Sequence, residues 1–306
     1  MDKYYIGVDI GGTSIKMGLF SHIGELLEKW EIPTNKEDEG SHILTDIAAS
    51  IEDKRVEKDG NIIGIGIGVP GPVTDDGTVL KCVNINWPVF NVKKKLSDIT
   101  GIGNIGVGND ASIAALGEVW KGGGRGFDSI VLVTLGTGVG GGIIIGGKML
   151  TGVRGGAGEI GHITVNPHET ATCGCGRKGC LEQYSSATGI VRMAKEGMRE
   201  DSCLSKLDEI TAKDVLDGVK AGDRYCDEVF DKFASYLGGA LATIAQVVDP
   251  EAFVIGGGVS KAGDMLLERI EKYYRESVMP ALSDKEFALA QLGNDAGIYG
   301  AVRMVL

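Results

Sequence analysis

Residues 4–20 read YYIGVDIGGTSIKMGLF, and residues 129–149 read SIVLVTLGTGVGGGIIIGGKM. In each, an apolar run enters a glycine turn and leaves it as a second apolar run. The first stretch continues through Gly24 into Leu26–Ile32; the second continues through Lys148 into GEIGHITV at 158–165. Strand, glycine turn, strand, strand thus occurs twice, a repeat of pattern and not of letters. Working outward from the first copy, spacings of three and four among Ile43, Ile47, Ala48 and Ile51 predict a helix. NIIGIGIGVPGP at 61–72 is a buried strand stopped at Pro70–Gly71–Pro72. Lys93–Thr100 is a short helix, 105–108 a strand and Ala111–Trp120 a helix. After the second copy, helices over Thr188–Arg199, Ala212–Lys220 and Asp223–Val248 lead to the strand and glycine loop AFVIGGG at 252–258. A helix over Asp264–Val278, the strand FALAQLG at 287–293 and a helix over Ala296–Val305 follow. Meander strands followed by βα alternation, present twice, predict an α/β protein of two related lobes with a cleft between them. The expected lobes are residues 1–120 plus 295–306, and 121–294, divided in the loop Lys121–Gly126.

Composition narrows the function. Lys and Arg total 31 against 42 Asp and Glu, a net charge of −11. The sequence pI is 4.9. No cationic excess exists to displace counterions from nucleic acid or to hold an anionic membrane surface. Glycine supplies 49 of 306 residues, about 16% against an ordinary ~7%. With only 7 prolines this is no linker composition; the glycines cluster between apolar runs, where tight turns bring backbone amides up to a ligand. The longest uncharged stretch, Ser129–Gly147, is nearly long enough for a bilayer, but seven glycines interrupt it and two short strands about a turn are expected. No basic segment followed by an apolar run opens the chain, and three of the six cysteines crowd together, so a reducing cytoplasm is expected.

Three sets of residues carry chemistry. Asp9–Ile10–Gly11–Gly12–Thr13 follows a buried strand; its amides and the Thr13 hydroxyl suit an oxyanion, and Asp9 suits Mg²⁺ beside a phosphate. An ordinary Gly-Gly hairpin explains the same letters. Gly136–Thr137–Gly138–Val139–Gly140–Gly141 matches GxGxxG, with Glu159 near the spacing of a ribose-binding acid. Those glycines would have to open a helix, and they open the β-branched run Ile143–Ile144–Ile145. A P-loop at Gly142–Lys148 fails likewise, because Met149 follows the lysine. What remains is a second phosphate-binding hairpin. The most specific signal is Cys173-x-Cys175-x₄-Cys180, three thiolate ligands for a closed zinc site, with His162 or His168 as the fourth. Asn109–Asp110 at a strand end reads equally as a helix cap.

Taken together, VDIGGTSIK, GVPGPV, GNDA, LGTGVGGGI, GEIGH, CGCGRKGCLEQYSS and IGGGVS resemble the ROK family of sugar kinases and repressors, in its bacterial glucokinase branch, in family order from Tyr5 to Ala301. The resemblance implies a two-lobed actin/hexokinase-like ATPase fold with a duplicated RNase H-like core. It implies ATP phosphates at Gly11, Gly12, Thr13 and Lys16 and at Thr137 and Gly138, with Mg²⁺ near Asp9 and adenosine near Gly256, Gly257 and Gly258. Glucose would meet Gly71, Asn84, Asn109, Asp110, Glu159, His162 and Glu182, with Asp110 as the catalytic base. Zinc would take His162, Cys173, Cys175 and Cys180, so that one nitrogen of His162 binds metal and the other faces sugar. Residues 106–108, Gly-Val-Gly, depart from the bulkier residue or Glu that glucokinases often carry before the Asn.

The reaction expected is ATP-dependent phosphorylation of glucose at its 6-hydroxyl by a cytoplasmic homodimer or higher homo-oligomer, with neither nucleic acid nor membrane as partner. Fructokinase and N-acetylmannosamine kinase are the alternatives within the class. A sugar-responsive repressor needs a DNA-binding segment before the first phosphate turn, and that turn begins at Asp9. A noncatalytic sugar sensor is opposed by Asp110 and the two hairpins.

Overall fold

A computed structural model describes residues 2–306. The chain opens as an antiparallel meander of β1 (Lys3–Ile10), β2 (Ser14–Ser21) and β3 (Leu26–Pro33). Helix α1 (Ile43–Glu57) buries Ile43, Leu44, Ile47 and Ile51 at the predicted spacing. Next comes β4 (Asn61–Val69), parallel to β1, then the two-residue pair β5 (Thr78–Val79) and β6 (Phe90–Asn91). Asn91 caps α2 (Val92–Thr100), and β7 (Ile105–Asn109) adds parallel to β4 and runs directly into α3 (Asp110–Lys121). The first sheet has the order β3-β2-β1-β4-β7.

The second half repeats it. Strands β8 (Ile130–Leu135), β9 (Val139–Ile145) and β10 (Lys148–Met149) are followed by α4 (Glu182–Ser185), α5 (Ala187–Glu196), α6 (Ala212–Lys220) and α7 (Arg224–Val248). Then come β11 (Ala252–Gly256), α8 (Asp264–Ser277), β12 (Glu286–Leu289) and α9 (Ala296–Arg303). The sheet order β10-β9-β8-β11-β12 is the first order again, including parallel β8, β11 and β12. The α/β class with a duplicated core therefore holds. One expected strand does not: GEIGHITV is no third strand. Ile160–His162 is a 3-10 turn closed by His162 N–H on Glu159 O at 3.1 Å and Ile163 N–H on Ile160 O at 3.1 Å, and the short β10 takes the third place.

Two compact units are formed. One holds the chain up to Asp128, Gly142–Gly158 and Leu292–Leu306; the other holds Ser129–Gly141 and Glu159–Gln291. In the first unit Ile6, Val8, Ile10, Ile65 and Ile67 face a core shared with α1 and α2. The opposite sheet face carries glycines, so α9 lies almost on the backbone. A methyl at Gly66 would fall 1.8 Å from the Ala301 carbonyl oxygen. In the second unit the buried run Phe253–Val254–Ile255 packs near Tyr274 and Phe287, whose rings sit 5.5 and 5.3 Å from Phe253. Among the described residues no helix is long and apolar enough to cross a membrane.

Candidate active site

In the first unit the polar groups gather where strands end. Asp9 lies near the end of β1, opposite Lys16 on β2, and the turn between them is closed by Gly11 N–H on Ser14 O at 3.0 Å. Thr34 ties this turn to the strand beyond: its hydroxyl donates to Gly11 O at 2.8 Å and its N–H to Thr13 O at 3.0 Å. Thr13 itself is exposed. Burial pushes the Asp9 carboxyl up to about 6; Lys16 pulls it down and Asp110 pushes it up. The Lys16 ammonium reaches back to the Asn294 carbonyl at 3.4 Å.

The parallel strands supply the rest of this half. After β4, Gly71 N–H closes a tight turn on Val69 O at 2.9 Å. Gly71 O in turn accepts from Asn109 Nδ2 at 3.2 Å, and the Cys82 thiol donates to Pro70 O at 2.6 Å. Asn109 Oδ1 accepts from Ala111 N–H and Ser112 N–H, at 3.0 and 3.1 Å, so Asn109 is the cap of α3. Asp110 is the first residue of that helix, half-buried, its Oδ1 accepting from Ala111 N–H at 2.8 Å. The cap is thus Asn109, and Asp110 stands in the first turn, at the positive end of the helix dipole. Asn84 sits exposed in the 3-10 turn after Cys82.

In the second unit the glycine turn after β8 is closed by Gly136 N–H on Gly138 O at 3.0 Å. Thr188 Oγ1 holds it by donating to Thr137 O at 2.6 Å. A methyl at Gly138 would sit 2.6 Å from Glu182 Oε2, so this turn and the first residue of α4 adjoin. Around Glu182 the cysteine loop folds back. The ligand atoms of His162, Cys173, Cys175 and Cys180 all lie within 4.8 Å of one another. Cys175 and Cys180 sulfurs are 3.6 Å apart, and Cys173 Sγ is 3.8 Å from His162 Nδ1. A tetrahedral ion with ~2.3 Å bonds to sulfur holds its ligands about 3.8 Å apart. Three thiols and an imidazole at that spacing fit zinc. His162 Nδ1 lies 3.7 Å from Glu182 Oε1, and Nε2 lies 4.0 Å from Glu159 Oε2. The two ring nitrogens therefore face different neighbours.

Of the two histidines left open by spacing, His162 joins the cluster, and the exposed His168 does not. Gly258 lines a pocket of about 340 Å³ with Val259, Lys261 and Ala262 and with Lys213, Leu216, Asp217 and Lys220 of α6. Gly256 and Gly257 are not among its lining residues. Sequence reasoning missed α6 as a pocket wall. It also missed Gln183, which accepts from Cys180 N–H at 3.0 Å and donates to Ala171 O at 3.0 Å, clipping the cysteine loop to α4. The Cys82 bond to Pro70 was equally unforeseen. Only Gln183 had a readable signal, its place beside Glu182 in the motif after Cys180.

The model of the ROK family matches residues 5–306. The chain is 50% identical over 311 residues to a glucokinase of Halalkalibacterium halodurans, covering 98% of this chain and 94% of that one. It is similar in structure to a ROK family glucokinase from Streptomyces griseus in complex with glucose and AMPPNP, with TM-score 0.78, 37% identity and 99% of each chain covered. A xylose repressor of Caldicellulosiruptor bescii is 30% identical, covering 98% of this chain and 77% of that protein.

Proposed function

We infer that this chain, which belongs to the ROK family, is a glucokinase that transfers the γ-phosphoryl group of ATP to the 6-hydroxyl of glucose. Phosphoryl transfer asks a protein mainly to position the reactants and to offset charge. In the first unit Gly11, Gly12 and Thr13 present amides and a hydroxyl to phosphate oxygens, with Lys16 supplying positive charge near Asp9. In the second unit Thr137 and Gly138 do the same, and the pocket beside Gly258 takes adenosine, with Gly256 and Gly257 carrying the chain into it. Asp9, a buried carboxylate beside a second one, fits a divalent cation and would hold Mg²⁺, which when bound neutralises charge on the phosphates.

Glucose hydroxyls are met by Asn84 and Asn109 in the first unit, with Gly71 shaping the wall, and by Glu159, His162 and Glu182 in the second. His162, Cys173, Cys175 and Cys180 would hold zinc, whose role when bound is structural. Nδ1 of His162 is then committed, and Nε2, turned toward Glu159, is left for a sugar hydroxyl. Asp110 accepts the hydrogen bond of the 6-hydroxyl and takes its proton as the new O–P bond forms.

The observation that carries this reading is the division of labour at the start of α3. Asn109 supplies the cap, so the carboxylate that follows it is not needed as the capping group. A coupled assay over a panel of hexoses with ATP tests it: glucose is expected to have the highest kcat/KM, and a better rate with fructose or N-acetylmannosamine overturns the choice of sugar. A cytoplasmic homo-oligomer completes the proposal; six free cysteines support the compartment.

A further inference from the structure

Away from the residues above, two thiols face each other in the second unit. Cys203 Sγ lies 3.9 Å from Cys226 Sγ. Cys203 opens a 3-10 turn, Cys203–Lys206, and is exposed; Cys226 lies in the first turn of α7 and is buried. Asp223, the cap of α7, fixes both. Its Oδ1 accepts from Cys226 N–H at 2.9 Å, and its Oδ2 accepts from Cys203 N–H at 2.6 Å and from Ser202 Oγ at 3.0 Å. The carboxylate, engaged by these three donors, also lies within 4.8 Å of both sulfurs, which face each other beside it.

The pair touches α6. A methyl at Gly218 would fall 2.3 Å from Cys226 Sγ and 3.2 Å from Cys203 Sγ, so the helix backbone rests on both sulfurs. Lys213, Leu216, Asp217 and Lys220 form a stripe at spacings of three and four, on another face of the same helix, and line the pocket beside Gly258. Sulfur contact and pocket wall are thus two faces of one short helix, itself enclosed between the two cysteines in sequence.

We propose that Cys203 and Cys226 form a reversible disulfide that alters nucleotide binding through α6, a proposal that rests on the placement of adenosine beside Gly258. A disulfide needs its sulfurs ~2.05 Å apart. The pair must close from 3.9 Å, and the helix lying on it shifts with it. With hydrogen peroxide as oxidant, the Cys203 thiolate attacks one peroxide oxygen and the O–O bond breaks, giving a sulfenic acid and hydroxide, which takes up the thiol's proton to become water. The Cys226 sulfur then attacks the sulfenic sulfur. The S–S bond forms, the S–O bond breaks, and the oxygen leaves with the Cys226 proton as a second water. Two thiols lose two electrons to one peroxide, and a small dithiol returns them. Burial holds both thiols above their ordinary range, Cys226 up to about 12, so the reaction is slow at neutral pH.

The test treats the zinc-loaded enzyme with hydrogen peroxide, blocks remaining thiols and maps the peptides, with zinc content followed to set apart oxidation at Cys173, Cys175 and Cys180. The expected product is a Cys203–Cys226 linked peptide that dithiothreitol releases. With it, KM for ATP should change about fivefold, the lower end of ordinary coupling between sites, while KM for glucose holds. Cys203→Ser, at an exposed position, should fold and show neither change. No linked peptide, or a linked peptide with KM for ATP unmoved, overturns the proposal. Leu216→Trp separates the premise: if it leaves KM for ATP unchanged, adenosine is not beside Gly258 and the coupling falls, whatever the peptides show.

Discussion

The two sheets share one strand order, and each ends its first strand in a glycine turn, yet the chains beyond those turns hold their polar groups by different means. In the first unit, regular structure does the positioning. Asn109 caps α3, its amide reaches Gly71, and Asp110 follows on the first turn of the helix. In the second unit, Glu159 and His162 sit on a 3-10 turn and Glu182 begins a four-residue helix. Elements this short carry few hydrogen bonds of their own, and His162, Cys173, Cys175 and Cys180 gather beside them. A duplicated scaffold thus supplies a glycine turn twice, with polar groups added once at a helix terminus and once on a cysteine-rich loop.

The largest test of this contrast is Asp110→Asn. The amide keeps the size and an acceptor but cannot take a proton, so kcat should fall by ~10² or more. Glucose affinity by calorimetry should change far less. A variant that binds glucose and turns over at the wild-type rate would remove Asp110 from the chemistry and leave the first unit with binding roles alone.

Cys175→Ser tests the other side. Loss of an exposed ligand should release zinc and weaken glucose binding by ~10-fold, the lower range for disturbing a group that orients a site. A strong chelator should act on the wild type in the same way. Full activity of a zinc-free enzyme would show that the loop holds itself, and the contrast would collapse.

Asn109→Ala should cost ~1 kcal/mol of stability, read by denaturant unfolding, as expected for a lost cap. It should also raise KM for glucose. A loss of stability with KM unmoved would make Asn109 structural only.

The last test concerns pH. Folded Asp9 has its carboxyl at about 6 against 3.8 for the unperturbed group. Between those values the folded state holds a proton that the unfolded state has released, so stability falls as pH rises through that window. Asp9→Asn should therefore raise Tm relative to wild type at pH 8 and leave it nearly equal at pH 4, by calorimetry. Equal Tm values at both would place Asp9 in a solvated setting.

Regular elements with strong periodicity were legible: β1 to β3, α1, α6 and α7 lie within a few residues of their sequence readings. GEIGHITV misled because its alternation of apolar and small or polar residues mimics a strand, whereas its backbone bonds close locally on Glu159 and Ile160. Nor did spacing choose between His162 and His168, since the chain's reversal after Val165 decides which imidazole meets the sulfurs. That reversal is fixed by long bonds such as Val165 N–H to Gly179 O at 2.8 Å. The wall formed by α6 was hidden for a similar reason. Its stripe of Lys213, Leu216, Asp217 and Lys220 reads as an ordinary amphipathic surface until the loop at Gly258 is set against it.

The seat of α9 on the glycine face of the first sheet has a consequence for biosynthesis. A ribosome releases residues 1–128 first, but the unit they belong to lacks its covering helix until residue 303 has been made. The second unit needs nothing beyond Gln291. Vectorial synthesis therefore completes the later unit before the earlier one, and leaves the glycine face of β1 and β4 bare throughout elongation. That face carries Gly7 and Gly66, residues with no side chain to shield the strand backbone. It is the stage at which the nascent chain most needs a chaperone.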